Sequence, residues 1–210
     1  MQGIRALMRT AGWLLAAMVL AANAHAENSL DTIIIDRGVD EPIRIAVVPF
    51  AIDVNSAANA ATLNDLPNPS DIVAFDLARS GQFDPMAKEN MLSFPARSSE
   101  VFYRDWRILK TAYLVIGRVE ALQNDSMRVS FELYDVAGRR QLEAREYLIG
   151  VDQWRDAAHQ IADIIYAEIT GVRGAFSSKI IYVLAQNAGT PDARYRLEVA
   201  DADGQRARTL

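Results

Sequence analysis

Cysteine is absent from all 210 residues. That absence excludes disulfide frameworks, thiolate metal centres, thiol nucleophiles and a lipid-bearing cysteine. Histidine is almost as scarce: His25 and His159 are the whole complement, too few for a histidine metal cluster and poor material for a nucleophile and base pair. No G-x-S-x-G, P-loop or G-x-G-x-x-G occurs, so a nucleophile elbow, a phosphate cradle and a dinucleotide turn are all missing. Positive charge is not in excess either. The 22 Lys and Arg face 27 Asp and Glu for a formal net charge of −5, and a surface of that sign repels a polyphosphate, which argues against nucleic acid as a partner.

Carboxylates are plentiful, so a two-acid hydrolase stays open on composition alone. Asp135, Asp152, Asp201 and Asp203 are the acids to weigh, and each stands where a turn or a helix cap favours aspartate. The "DADG" stretch ending at Gly204 brings acid oxygens together as a calcium loop does. Its glycine comes too early for an EF-hand and no Glu follows, so a tight hairpin turn is the better reading. Trp106 and Trp154 sit in helical patterns and read as core. No cofactor is implied.

The N-terminus carries the first positive signal. "MQGIRALMRTAGWLLAAMVLAANAHAEN" has Arg5 and Arg9, an uncharged apolar run from Ala11 to Ala22, and Ala24-His25-Ala26, the form of a secretory leader with its cleavage site. The run is shorter than the roughly 20 residues a membrane span needs. Cleavage is expected after Ala26, leaving Glu27 first. The processed chain then holds 20 Lys and Arg against 27 acids, a net charge of −7. With no second span and no lipid-bearing cysteine, it is expected in the periplasm, peripheral to membranes through protein partners only.

Half of the chain is hydrophobic, enough for a packed core. "IRIAVVPF" (Ile43 to Phe50) and "AYLVIGRVE" (from Ala112) read as buried strands. Between them, Pro67 and Pro69 mark a loop, and Ser70 or Asp71 is expected to cap a helix through "DIVAFDLARS" that Gly81 stops. Ile72, Val73, Phe75 and Leu77 are its expected core contacts. A further Pro-marked loop leads to a helix in "EVFYRDWRILK". In "MRVSFELYDVAGRRQLEAREYLIG", Val129, Phe131 and Leu133 alternate with polar residues and Ala137-Gly138 turns the chain back, predicting a half-buried hairpin. "DQWRDAAHQIADIIYAEITG" spaces Trp154, Ala157, Ala158, Ile161, Ile165 and Ile169 at helical intervals, with Asp152 as N-cap and Gly171 as stop. Alternating strands and helices from Ile43 to Gly171 predict an α/β domain with a mixed sheet. From Lys179 onward only short strands and turns remain, and a domain boundary is expected between Gly171 and Gly174.

"DLARSGQFDP" (Asp76 to Pro85), "LVIGRV" (Leu114 to Val119), "GVRGAFSSKIIYV" (Gly171 to Val183) and "LEVADADG" (Leu197 to Gly204) follow one another behind a leader and "IRIAVVPF". In that order they resemble the TolB family, the periplasmic component of the Tol-Pal system, over essentially the whole processed chain. The resemblance implies an N-terminal α/β domain akin to the anticodon-binding fold, followed by a six-bladed β-propeller of which this sequence holds an incomplete first blade. It divides the chain into a leader at 1–26, a partner-binding segment at 27–41, the α/β domain at 42–172 and the opening of the blade at 173–210. Leu210 is then expected to be a truncation point, with the strands from Lys179 loosely held and open to edge-to-edge pairing.

"LDTIIID" can be read two ways from its residues: as an edge strand of the α/β sheet, or as a mobile strand that adds to a partner's sheet edge through main-chain hydrogen bonds. The family resemblance favours the second, since there the processed N-terminus binds the C-terminal domain of TolA and the propeller binds Pal. Carried over, the TolA contact falls on Glu27, Asn28, Ser29, Leu30, Asp31, Thr32, Ile33, Ile34, Ile35 and Asp36. Pal-binding residues would lie on blades outside this sequence. The expectation is therefore a non-enzymatic periplasmic adaptor linking inner-membrane TolA to outer-membrane Pal for envelope integrity and cell division. A periplasmic hydrolase or small-solute-binding protein is the rival.

Overall fold

The longest apolar runs pair at the middle of one sheet. β4 (Tyr113–Ala121) lies between β1 (Ile43–Val47), parallel to it, and β5 (Ser126–Asp135), antiparallel to it. β6 (Arg140–Gly150) extends β5 as a hairpin. Two strands of three residues complete the sheet: β2 (Ala51–Asp53) pairs with β4 beyond β1, and β3 (Phe83–Pro85) pairs with the outer side of β1, both in parallel. The order is β3-β1-β4-β5-β6 with β2 beside β4, so the expected mixed sheet is present. β2 and β3 fall in stretches that read as loop, and their pairing is wholly non-local. Pro85 is accommodated because β3 is an edge.

The computed structural model describes residues 41–53, 66–123 and 126–210, all within one compact unit. The expected leader, its cleavage between Ala26 and Glu27, and the partner segment Glu27 to Asp36 lie outside the described residues. Among the described residues no helix is long and apolar enough to cross a membrane.

One face of the sheet carries α1 (Pro69–Arg79) and α3 (Trp154–Thr170). Val115, Val119, Val129, Phe131 and Leu133 point at them from the strands, and Ile161 and Ile165 from α3 are wholly buried there. Each of those isoleucines contributes about 1.5–3 kcal/mol relative to exposure. Gly171 ends α3 in the left-handed region at φ 73°, as its position predicts. Two expected caps differ. Asp152 lies in a 3-10 turn before α3, whose N-cap is Gln153. α1 begins one residue before Ser70, at Pro69, and is capped by Asn68.

Asn68 takes that role because it also closes the preceding loop. Its Oδ1 accepts from Ser70 N at 3.1 Å and from Phe50 N at 3.1 Å, while its Nδ2 donates to Phe50 O at 2.9 Å. Phe50 in turn covers Gly117, where a Cβ would meet its ring at 2.6 Å. Asn68→Ala is expected to cost about 1–2 kcal/mol, read as a lower denaturation midpoint at unchanged m-value.

The opposite face is covered at one end by the segment 86–110, which contains α2 (Tyr103–Ile108). Trp106 and Met91 pack there on Ala46, Val48, Leu114, Ile116 and Tyr134. Beyond this cover the same face turns polar, with Arg118, Glu120, Arg128 and Ser130 lining an open cleft of about 500 Å³. On β5 this face is buried at Tyr134 and half-buried from Glu132 to Ser126, while β6 is mostly exposed on it from Arg140 at the turn onward.

The chain leaves α3 by folding back on it. Asp163 accepts from Phe176 N at 2.6 Å and Ser177 N at 3.1 Å, and Phe176 enters the helix-side core edge-on to Tyr166 at 5.6 Å. Gly174 permits this approach, since a Cβ would lie 2.6 Å from Asp163 Cα. A three-stranded antiparallel sheet follows: β7 (Lys179–Gln186), β8 (Arg194–Asp201) and β9 (Arg208–Thr209).

Candidate functional site

Three buried polar groups, Asp76, His159 and Asp201, converge where this second sheet meets the two helices. The inward face of α1 is not the one expected. Phe75, an expected core contact of α1, is 55% exposed, and Asp76 beside it is wholly buried. At 100° per residue, Ile72, Val73, Asp76 and Leu77 form one arc, and Phe75 lies about 130° from its centre. Asp76 tolerates the interior because His159 of α3 is there to meet it. The His159 Nδ1 and Asp76 Oδ2 are 2.5 Å apart, and the imidazole is 1% exposed. A buried carboxylate is costly unless paired in this way.

On the far side of the imidazole lies the turn after β8. Asp201 and Asp203, expected as ordinary turn residues, enter the helical layer. Asp203 keeps part of the turn role by accepting from Gln205 N at 3.0 Å. Its other oxygen binds Arg155 of α3 and lies 3.8 Å from His159 Nε2, an atom with no hydrogen-bond partner. Asp201 is 2% exposed and is held by Lys179 Nζ at 2.5 Å and Arg206 Nε at 2.6 Å. Arg206 has φ 53°, a conformation that disfavours side chains. Held so, its guanidinium bridges Asp201 to Asp156 on α3. Arg79 of α1 donates to Ala202 O at 3.0 Å. Four carboxylates and four cationic heads therefore meet across the junction.

The expected looseness of the strands after Lys179 is thus modified at one end. Their turn end is keyed into α1 and α3, whereas Ile181, Val183 and Tyr195 farther along are each more than half exposed. The remaining acids weighed from the sequence stay apart. Asp135 accepts from Gly138 N at 2.8 Å in the hairpin turn, and Asp152 contributes nothing to the junction.

His159 Nε2 and an oxygen of Asp201 and of Asp203 do lie within 4.8 Å of one another, a trio able to hold a cation. His159 gave no sign of it in the sequence, because Asp201 and Asp203 are more than forty positions away. Both carboxylates already bind guanidinium or ammonium groups, so the junction is charge-balanced without an ion. A divalent cation would have to displace Lys179 or Arg206. What the arrangement does is hold two sheets in a fixed relation.

Acid should weaken it. The Arg206 hydrogen bond holds the Asp156 carboxyl below its ordinary range despite partial burial. For Asp201, burial pushes the carboxyl upward, but the hydrogen bonds and charges of Arg206 and Lys179 outweigh it and the net direction is down. The folded protein therefore binds fewer protons than the unfolded chain near pH 4, and stability rises with pH there. Their contribution is expected to be complete above about pH 5 and to fade on further acidification. Denaturant midpoints measured across that range should fall as the pH is lowered, with a shallower slope in Asp156→Asn. A slope unchanged by that substitution would contradict the assignment.

The family model for the TolB amino-terminal domain matches residues 31–142. The Tol-Pal system protein TolB of Marinomonas sp. (strain MWYL1) is 39% identical over 199 residues, covering 94% of this chain and 43% of that protein. Its counterpart in Pseudomonas aeruginosa is 36% identical, covering 93% of this chain and 44% of its own length. The chain spans about half the length of the curated relatives it matches. Among solved structures, crystalline TolB from Acinetobacter baumannii superposes with a TM-score of 0.66 at 32% identity, over 81% of this chain and 38% of that one.

Proposed function

The chain belongs to the TolB family, and we propose that it is a non-enzymatic periplasmic adaptor of the Tol-Pal system, joining TolA of the inner membrane to Pal of the outer membrane. The observation that carries this reading is the family match together with relatives named for the Tol-Pal system. In this reading residues 1–26 are a leader removed between Ala26 and Glu27, and Glu27 to Asp36 are a strand that adds to the sheet edge of the TolA C-terminal domain. The α/β domain over 42–172 is the platform behind that strand. Residues 173–210 open the first propeller blade, which fits an antiparallel trio whose Ile181, Val183 and Tyr195 are left exposed for neighbouring blades. Pal would be met by the propeller.

The keyed junction suits an adaptor, because a contact at one end is transmitted only through a fixed relation between its parts. A photoreactive residue placed at Ile34 of the exported chain is expected to capture the TolA C-terminal domain, and one placed at Asp192 is not. Equal capture from both positions, or none from any of Ile33 to Ile35, would remove the strand from the account.

A further inference from the structure

The segment 86–110 has two sides. Met86, Met91, Val101, Tyr103, Trp106 and Leu109 pack inward on the sheet. The other side mixes exposed polar residues with large apolar ones that nothing covers: Leu92, Phe94, Phe102 and Ile108 are 58–64% exposed. Isolated exposed apolar residues are ordinary, but four large ones on one covering layer are not. Cations stand among them. Arg97, Arg104, Arg107 and Lys110 are exposed, and none makes an ion pair within the described residues. Lys88 is the one cation of the layer paired outside it, to Asp71. On α2, Arg104 and Ile108 are four residues apart and share the outward face, while Trp106 points in. Residues 88–110 carry five cations against three acids, within a chain whose net charge is −5.

We propose that this outer side is a docking surface for an anionic lipid leaflet. Aromatic and aliphatic side chains mixed with unpaired Arg and Lys match the two signals a peripheral contact requires, shallow apolar insertion and attraction to acidic headgroups. A peptide partner would seat its anchors in a groove, whereas none of these four side chains lines the two pockets beside the layer, one formed with Ala96 and Arg97 and the other with Met86, Asn90 and Leu109. The basic island on an acidic body also fixes orientation, because the rest of the surface is repelled by the same leaflet. Since the layer covers the sheet face opposite α1 and α3, a protein lying on lipid this way turns the keyed junction and β7–β9 toward the aqueous side. The proposal rests on the envelope reading for access to a membrane, adds a direct route to the one through protein partners, and is independent of Glu27 to Asp36.

The test is flotation of the exported chain, purified after leader removal so that the leader itself does not bind lipid. Vesicles of phosphatidylethanolamine with phosphatidylglycerol are compared with phosphatidylcholine alone. Binding is expected only to the anionic vesicles and should decline as salt is raised. The double variant R104E/R107E is expected to bind at least about thirtyfold more weakly, and F94S/F102S at least about tenfold more weakly. All four side chains are exposed, and an unchanged circular dichroism melt is required of each variant. Failure of the wild-type chain to float overturns the proposal, as does equal flotation of both variants. Loss of a protein partner in the same variants without any vesicle binding would reassign the surface to that partner. None of these outcomes bears on capture of TolA by Ile34.

Discussion

Asp203→Ala is expected to release the three-stranded sheet from the helices while the α/β body stays folded. The substitution removes the Arg155 partner and the Gln205 turn bond together. Arg155 is then left mostly covered, with Asp201 at 3.7 Å as its remaining carboxylate. Removing one member of a buried pair strands the other charge, which costs about 3 kcal/mol for a pair with this remaining access to water. That cost falls on the junction and not on the core. Amide exchange at Lys179 to Ile181 and Val199 to Asp201 is expected to accelerate by about a hundredfold. Amides in β4 and β5, enclosed by Val115, Phe131 and Leu133, should be unaffected. Asp192→Ala, in the exposed loop between β7 and β8, is the matched control and should change nothing. A uniform acceleration through both sheets would mean that the two unfold as one and that the junction is not a separable device.

The body was legible wherever a short window held the whole reason for a structure. Val129, Phe131 and Leu133 alternate on one strand, and Ile161 and Ile165 repeat on one helix, so local period alone gives their elements and their inward face. The junction was not legible, because the contacts that join its parts run between residues far apart in the chain. Asp76 is inside on account of His159, 83 positions away, and Phe75 is outside for the same reason. Asp201 and Asp203 read correctly as turn residues, yet their second role depends on Arg155 and Arg206 arriving from α3 and from a strained turn. β2 and β3 were missed on similar grounds: three residues carry no period, and their partners are non-local. The family resemblance, carried by four ordered segments, supplied what periodicity could not.

The proposed adaptor role depends on Glu27 to Asp36. In the proposed contact the strand gains its affinity from main-chain hydrogen bonds along its length, and a period of two would set Ile33 and Ile35 against Ile34 as alternate anchors. Removing it takes away the whole contact and not a part of it. The body should be indifferent, since β1 to β6 and both core clusters are built from residues beyond it. The direct measurement is a calorimetric titration of the TolA C-terminal domain with the exported chain, with and without Glu27 to Asp36. The account predicts binding by the intact chain, loss of detectable heat on deletion, and the same melting temperature for both proteins. Undiminished binding by the shortened chain would contradict it.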